Sequence, residues 1–297
     1  MSLVTSTAFQ FNPAIQPRSF IILGYLGREE IDDDLLYQIL VALRGALAIF
    51  NESDPNLVVS IMMCLKNLVE NLPSDSIYLL QLFWIAVTLV ELNSPSIFAT
   101  ALELLEAVFR SLDAQGFFIG SQVSEVLLSA RAPIADITQQ LDGLCGVNFE
   151  SHFSFAIAGI MMKGMRYSNM KMTIYNCLYT FLSIERKQHE KGNEVGTEKI
   201  NTSILGYITA LLPMAAKDDA VDDLLKLAGI SENVGHDGKM YEGIFDKLDV
   251  PDNITALLVI SLLATMNLAV DTESERLFIY GLLSEAAISI PEVFVLM

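Results

Sequence analysis

Three observations predict an all-α fold, a HEAT/armadillo-like stack of helical repeats. Apolar residues recur at three-to-four spacing through almost the whole chain, and no β-hairpin signal interrupts them. Residues 74–92 are apolar around nearly the whole circumference, through Leu79, Leu80, Leu82, Phe83, Trp84, Ile85, Val87, Leu89 and Val90. Such a helix needs neighbours on several sides, as an inner helix of a layered stack has. Prolines at expected helix starts, Pro13, Pro55, Pro95 and Pro133, recur every 38 to 42 residues. Pro213, Pro251 and Pro291 continue that spacing with one tooth missing. This is the period of two- or three-helix repeats, which bury their faces only against neighbouring repeats. Pro17 and Pro73 fall off the lattice, and an irregular bundle with prolines at caps is the competing reading.

Taken in order, Asn12-Pro13 has the form of a helix opening, for a helix running to Leu26. The acidic run ending in Asp32-Asp33-Asp34 suits the positive end of the next helix, striped by Leu35, Leu36, Ile39, Leu40, Leu43, Ala46, Leu47 and Phe50. Asp54-Pro55 opens another, with Leu57, Val58, Ile61, Met62, Leu65, Leu68, Val69 and Leu72 on one side. Ser74 after Pro73 starts the apolar helix, and Asn93-Ser94-Pro95 stops it and begins the next. A Gly-aromatic turn is expected at 115–120, then short helices at 123–129 and 134–141. Longer helices follow through Phe153 to Met161 and over 170–184. Further helices are expected at 200–212, 216–227, 241–248, 254–268 and 273–288. The chain thus reads as a single helical-repeat segment of a larger protein over 1–297. It has first repeats over 1–185, a mobile loop over 186–199, and last repeats over 200–297 with an irregular linker at 229–252. The apolar, uncapped run 293–297 agrees with a piece of something longer.

With 52% hydrophobic residues against 18% charged, the chain has ample apolar surface for a core. Its net charge of −18 repels phosphate backbones, which argues against nucleic-acid binding and against docking on anionic membrane. Cys64, Cys145 and Cys177 lie far apart and read as reduced, buried thiols of a cytoplasmic protein. Residues 253–270 carry no charge and are about long enough to span a bilayer. Flanking Asp252 and Asp271, with Thr255, Ser261, Thr265 and Asn267 inside, favour a buried soluble helix and no transmembrane span.

The chemistry-bearing residues assemble into no known motif. Gly238-Lys239 lacks the earlier Gly and the following Ser or Thr of a phosphate loop. The acidic clusters at 32–34 and 218–223 lack EF-hand spacing and read as solvated helix ends. His152, His189 and His236 stand in separate segments, and no nucleophile elbow exists. Lys163-Gly164-Met165-Arg166 is a small basic spot, read as a helix carboxy-terminus or a contact for an acidic partner. No catalytic, cofactor-binding or metal-ligating residue is assigned.

At Phe11-Asn12-Pro13-Ala14-Ile15-Gln16-Pro17-Arg18 the chain resembles neurofibromin and the fungal Ira-type inhibitory regulators of Ras. The likeness recurs at Leu82-Phe83-Trp84-Ile85-Ala86-Val87 and at Gly146-Val147-Asn148-Phe149 with Ser151, Phe153, Phe155 and Ala156. It returns at Lys163-Gly164 with Arg166, and at Leu283-Ser284-Glu285-Ala286. The resemblance implies a place carboxy-terminal to the GTPase-activating and Sec14-PH regions, within a long helical arm. The short stretch between Gly229 and Pro251 fits a fungal member. Family activation needs an arginine finger and a Phe-Leu-Arg block shortly before a Pro-Ala pair. Pro13-Ala14 is present, but Thr7-Ala8-Phe9 stand where that block would be, so no residue inherits the catalytic role. The resemblance therefore implies a non-catalytic scaffold with protein partners, self-association or contacts to other parts of its parent. Ras would be reached only through the absent activating domain, and membranes only through the parent protein. The alternatives are a segment that itself stimulates GTP hydrolysis and an unrelated HEAT-repeat adaptor.

Overall fold

The computed structural model describes residues 2–10, 12–27, 31–132, 143, 146–167, 169–192, 202–215, 244–248, 250, 252–270 and 272–291. Among them the fold is all-α, as the periodicity predicts. The expected helices at 134–141 and 216–227, most of the 229–252 linker, and Cys145, Pro133 and Pro251 lie outside the described residues. The contacts gather into two compact units. One comprises residues 1–121 and 125–141, the other 122–124 and 142–297.

In the first unit α1 (Ser2–Phe9) lies on α2 (Gln16–Leu26), which packs on α4 (Asn56–Val69). Helix α3 (Asp33–Ala48) also meets α4, while α6 (Pro95–Ala114) packs against both α4 and α5 (Leu79–Glu91). Helix α7 spans Val123–Ser129. The crossing of α2 over α4 is close because Gly24 has no side chain. A Cβ there would stand 2.8 Å from the Cys64 Cα. Cys64 is wholly buried, and burial pushes its thiol up to about 12, so it remains an apolar packing group.

Two expected helix starts move. Pro13 and Ala14 form a turn, and the helix begins at Gln16 with Pro17, the off-lattice proline, in its first turn. Ser74 does not cap α5, which begins at Leu79. Asp33 in the first turn of α3 explains the delay: its carboxylate accepts from Ser76 Oγ and from the Ile77 N–H, holding that segment in turns. At the other end Asn93 stops the helix in the left-handed region, φ 53°, as its short polar side chain allows. The turn at 115–120 is also as expected. Gly116, at φ 79°, lets the Phe117 N–H reach the Leu112 carbonyl and its own N–H the Asp113 carbonyl, closing α6 in a Schellman motif.

A repeat of about forty residues is written in the hydrogen bonds of this unit more clearly than in its prolines. Glu52 caps α6, accepting from Ser94 Oγ, from the Ser96 N–H at 3.1 Å and from Ser96 Oγ at 2.7 Å. Ser111 Oγ donates to the Val69 carbonyl, Gln115 Nε2 to the Leu72 carbonyl and Trp84 Nε1 to the Leu127 carbonyl. Each of these bonds, like that of Ser76 to Asp33, joins residues 42 to 44 apart. Equivalent places in successive layers therefore touch, as stacking requires. Pro213, by contrast, lies inside a helix and marks no repeat start.

The second unit centres on α8 (Phe153–Met162), α9 (Lys171–Gly192) and α10 (Thr202–Ala215). A 3-10 turn, Lys163–Arg166, follows α8; α11 spans Ile244–Lys247, and α12 (Asn253–Ala269) pairs with α13 (Glu273–Ser289). Gly206 sets the approach of α10 to α8, since a Cβ there would lie 2.5 Å from the Phe155 nitrogen. Its N–H donates to Ser154 Oγ. Asp252 and Thr272 cap α12 and α13 through the N–H groups of Thr255 and Glu275. Lys171 joins Glu275 at 2.7 Å, with both side chains largely sheltered. The loop expected to begin at Arg186 is a correction: α9 runs on through Gly192. Arg, Lys, Gln and Glu are good helix formers, so a polar run needs no apolar stripe to extend a helix already anchored in a core. Residues 193–201 are outside the described set.

Trp84 is fully buried, edge-on to Phe83 at 5.4 Å and beneath the Arg131 guanidinium at 5.0 Å. Trp84→Ala should destabilise the chain by roughly 3–5 kcal/mol in urea unfolding. Trp84→Phe, which keeps most of the volume but loses the indole bond to a Leu127 carbonyl that the Ala130 N–H still occupies, should cost about 0.5–1.5 kcal/mol. A loss under about 1 kcal/mol for the alanine variant would place Trp84 at the periphery of the core.

Candidate interaction surface

The residues of the chemical motifs do not converge. His152 occupies the N-cap position of α8 without a capping hydrogen bond from its side chain. Hydrogen bonds, chiefly from the Thr255 N–H, hold the Asp252 carboxyl below its usual range, with His152 a smaller influence. The side chains of His189 and His236 and the pair Gly238-Lys239 lie outside the described residues. Asp32 caps α3 through the Leu35 N–H, and Asp33 and Asp34 fill its first turn, the helix-end role expected of that cluster. Lys163 and Arg166 sit in the 3-10 turn after α8, where Arg166 stacks on Tyr167 at 5.3 Å. Among the described residues no three His, Cys, Asp or Glu side chains are grouped to hold a metal. No helix among them is long and apolar enough to cross a membrane.

Surface is where the molecule offers something. A cavity of about 650 Å³ opens in the first unit where the starts of α2 and α4 meet the end of α3. Pro13, Gln16, Pro17 and Arg18 line one side, Ile49 and Phe50 another, and Leu57, Val58 and Ser60 the floor. In the second unit α12 exposes Ile254, Leu257 and Leu268, and α13 exposes Leu277, Tyr280 and Ile288. The strongly exposed positions of α12 include no charged residue. Uncharged, apolar helix faces of this kind are suited to contact with other protein surface.

One buried polar pair was not foreseen. Glu185, 3% exposed, receives the Tyr207 hydroxyl at 3.4 Å in the core between α9 and α10. Burial pushes its carboxyl up to about 8, an effect the Tyr207 hydrogen bond only partly offsets. Burial also raises the Tyr207 hydroxyl, with Glu185 and Cys177 adding to it. The sequence signal was a carboxylate in the apolar register of α9, following Ile174, Leu178 and Phe181 at helical spacing.

The resemblance blocks fall mainly on packing positions. Phe83, Trp84, Ala86 and Val87 are fully buried, and Phe149, Phe153, Phe155 and Ala156 nearly so. Gly146 takes a left-handed φ, and Asn148 Oδ1 accepts the Glu150 N–H in the turn leading to α8. Pro13 to Arg18 differ: this block is largely exposed and borders the cavity.

These features define an all-helical stack with exposed apolar helix residues. No family model matches the chain. Over 180 residues, 59% of its length, it is 25% identical to inhibitory regulator protein IRA2 of Saccharomyces cerevisiae. The matched region spans 6% of that much longer relative.

Because the folded state holds the Glu185 proton more tightly than the unfolded chain, stability should fall as pH rises from about 4.5 to about 8 and level off above. Glu185→Gln should remove that contribution. Urea midpoints of the two proteins at about pH 5 and pH 8.5 should diverge by the equivalent of roughly 2–4 kcal/mol. Parallel pH profiles would show that Glu185 is ionised in the native core.

Proposed function

We propose that this chain is a non-catalytic helical scaffold within an inhibitory regulator of Ras. The similarity to the yeast regulator carries this reading. The order of the resemblance blocks from Pro13 to Ala286 supports it. So does their concentration in the core, because positions kept for packing preserve a shape that other segments build on. The scaffold positions the activating domain of its parent and offers the uncharged face of α12 and the exposed apolar residues of α13 to protein partners or to a second copy. Its location is cytoplasmic. Ras is engaged by the activating domain and not by these helices.

Two measurements test the reading. In single-turnover GTP hydrolysis by Ras, adding the chain should leave the rate unchanged; acceleration would make the segment itself an activator. Sedimentation equilibrium over a wide concentration range should give association that Leu268→Lys and Leu277→Lys weaken. A strict monomer that also fails to bind its parent's other segments would remove the scaffold role.

A further inference from the structure

We propose that the cavity of the first unit is a binding site for a carboxylate joined to an aliphatic group. Its size, about 650 Å³, is that of a small-ligand pocket. Its floor is the start of α4, which Pro55 opens without a side-chain cap, so the Leu57 and Val58 N–H groups have no partner within the helix. Helix α2 starts at the same cavity, but the Gln16 N–H donates to the Asn12 carbonyl and Pro17 has none, so its contribution is Arg18, exposed in its first turn. Arg18 makes no ion pair among the described residues.

Ser60 supplies the independent sign. It lines the cavity one turn deeper on α4, is 5% exposed, and makes no hydrogen bond among the described residues. Its hydroxyl is not one of the fully enclosed polar atoms that lack a partner, so its small accessible surface opens into the cavity, where a bound group can meet it. The first-turn N–H groups of α4, a guanidinium and an accessible hydroxyl favour an anion.

The remaining walls set the rest of the ligand. Pro13, Ile21, Ile49 and Phe50 are apolar, and Ile49 is 65% exposed. Asp54 also borders the cavity, accepting from Asn56 Nδ2 at 2.8 Å. Its charge disfavours a dianion such as phosphate and leaves a single carboxylate as the better match. Both a fatty acid and the leucine- or isoleucine-type end of a peptide have this chemistry. The inference does not depend on the Ras reading.

The whole chain is titrated with octanoate, N-acetylleucine, octanol and inorganic phosphate while the methyl resonances of Ile21, Ile49 and Leu57 are followed. Octanoate or N-acetylleucine should shift them saturably, and octanol and phosphate should bind at least about tenfold more weakly. Arg18→Gln, at an exposed site, should weaken carboxylate binding about fivefold or more, and Ser60→Ala should weaken it further. Saturation by octanoate alone would identify a fatty-acid site, and by N-acetylleucine alone a peptide-end site. No saturable shift, equal binding of octanol, or an unaffected Arg18→Gln variant would overturn the proposal.

Discussion

Burial of α5 is the constraint on which the first unit depends. A helix with apolar residues on nearly every side cannot be satisfied by one neighbour, so α6 must cover it and the Arg131 turn must cap the Trp84 ring. The indole N–H makes that arrangement specific. Its bond to the Leu127 carbonyl at 2.8 Å fixes where the next layer sits along the helix, which apolar contact alone would leave loose. Other layer-to-layer bonds repeat the same offset, so geometry set at Trp84 is consistent with that at Glu52, Ser111 and Gln115.

Two carboxylates in these bonds complete the start of a helix or the segment entering one. Glu52 supplies the carboxylate at the start of α6, and Asp33 holds the segment entering α5. The Glu52 carboxyl is held below its usual range by its bonds with Ser94 and Ser96. Glu185 is the opposite case, a carboxyl that burial keeps protonated near neutral pH. One protein thus uses an ionised carboxylate to join layers at its surface and a neutral one to fill its interior.

Helical stripes were legible in the sequence because burial acts on every third or fourth residue, and α3, α4, α6 and α12 lie close to their expected places. What escaped depends on residues far apart in the chain. The late start of α5 follows from Asp33, forty-odd residues earlier, and no local pattern at Ser74 reports it. Pro13 looked like a helix opener because Asn-Pro often is one; the chain instead turns there and uses Pro17. The proline lattice was a partial guide, since Pro55 and Pro95 mark helix starts while Pro213 is inside a helix. The cavity was invisible for the same reason. Pro13, Ile49 and Ser60 meet only once three helices are in place.

The constant offset of 42 to 44 residues between bonded layers also governs how the chain can find its fold. Closing a loop costs entropy that grows only with the logarithm of its length, and here the loop is about the same length at each of these bonds. Docking a layer therefore meets the same entropic hurdle wherever in the first unit it occurs, and adding layers creates no longer one. A chain built this way can be extended over evolutionary time, or emerge from a ribosome, without its final layer being slower to close than its first.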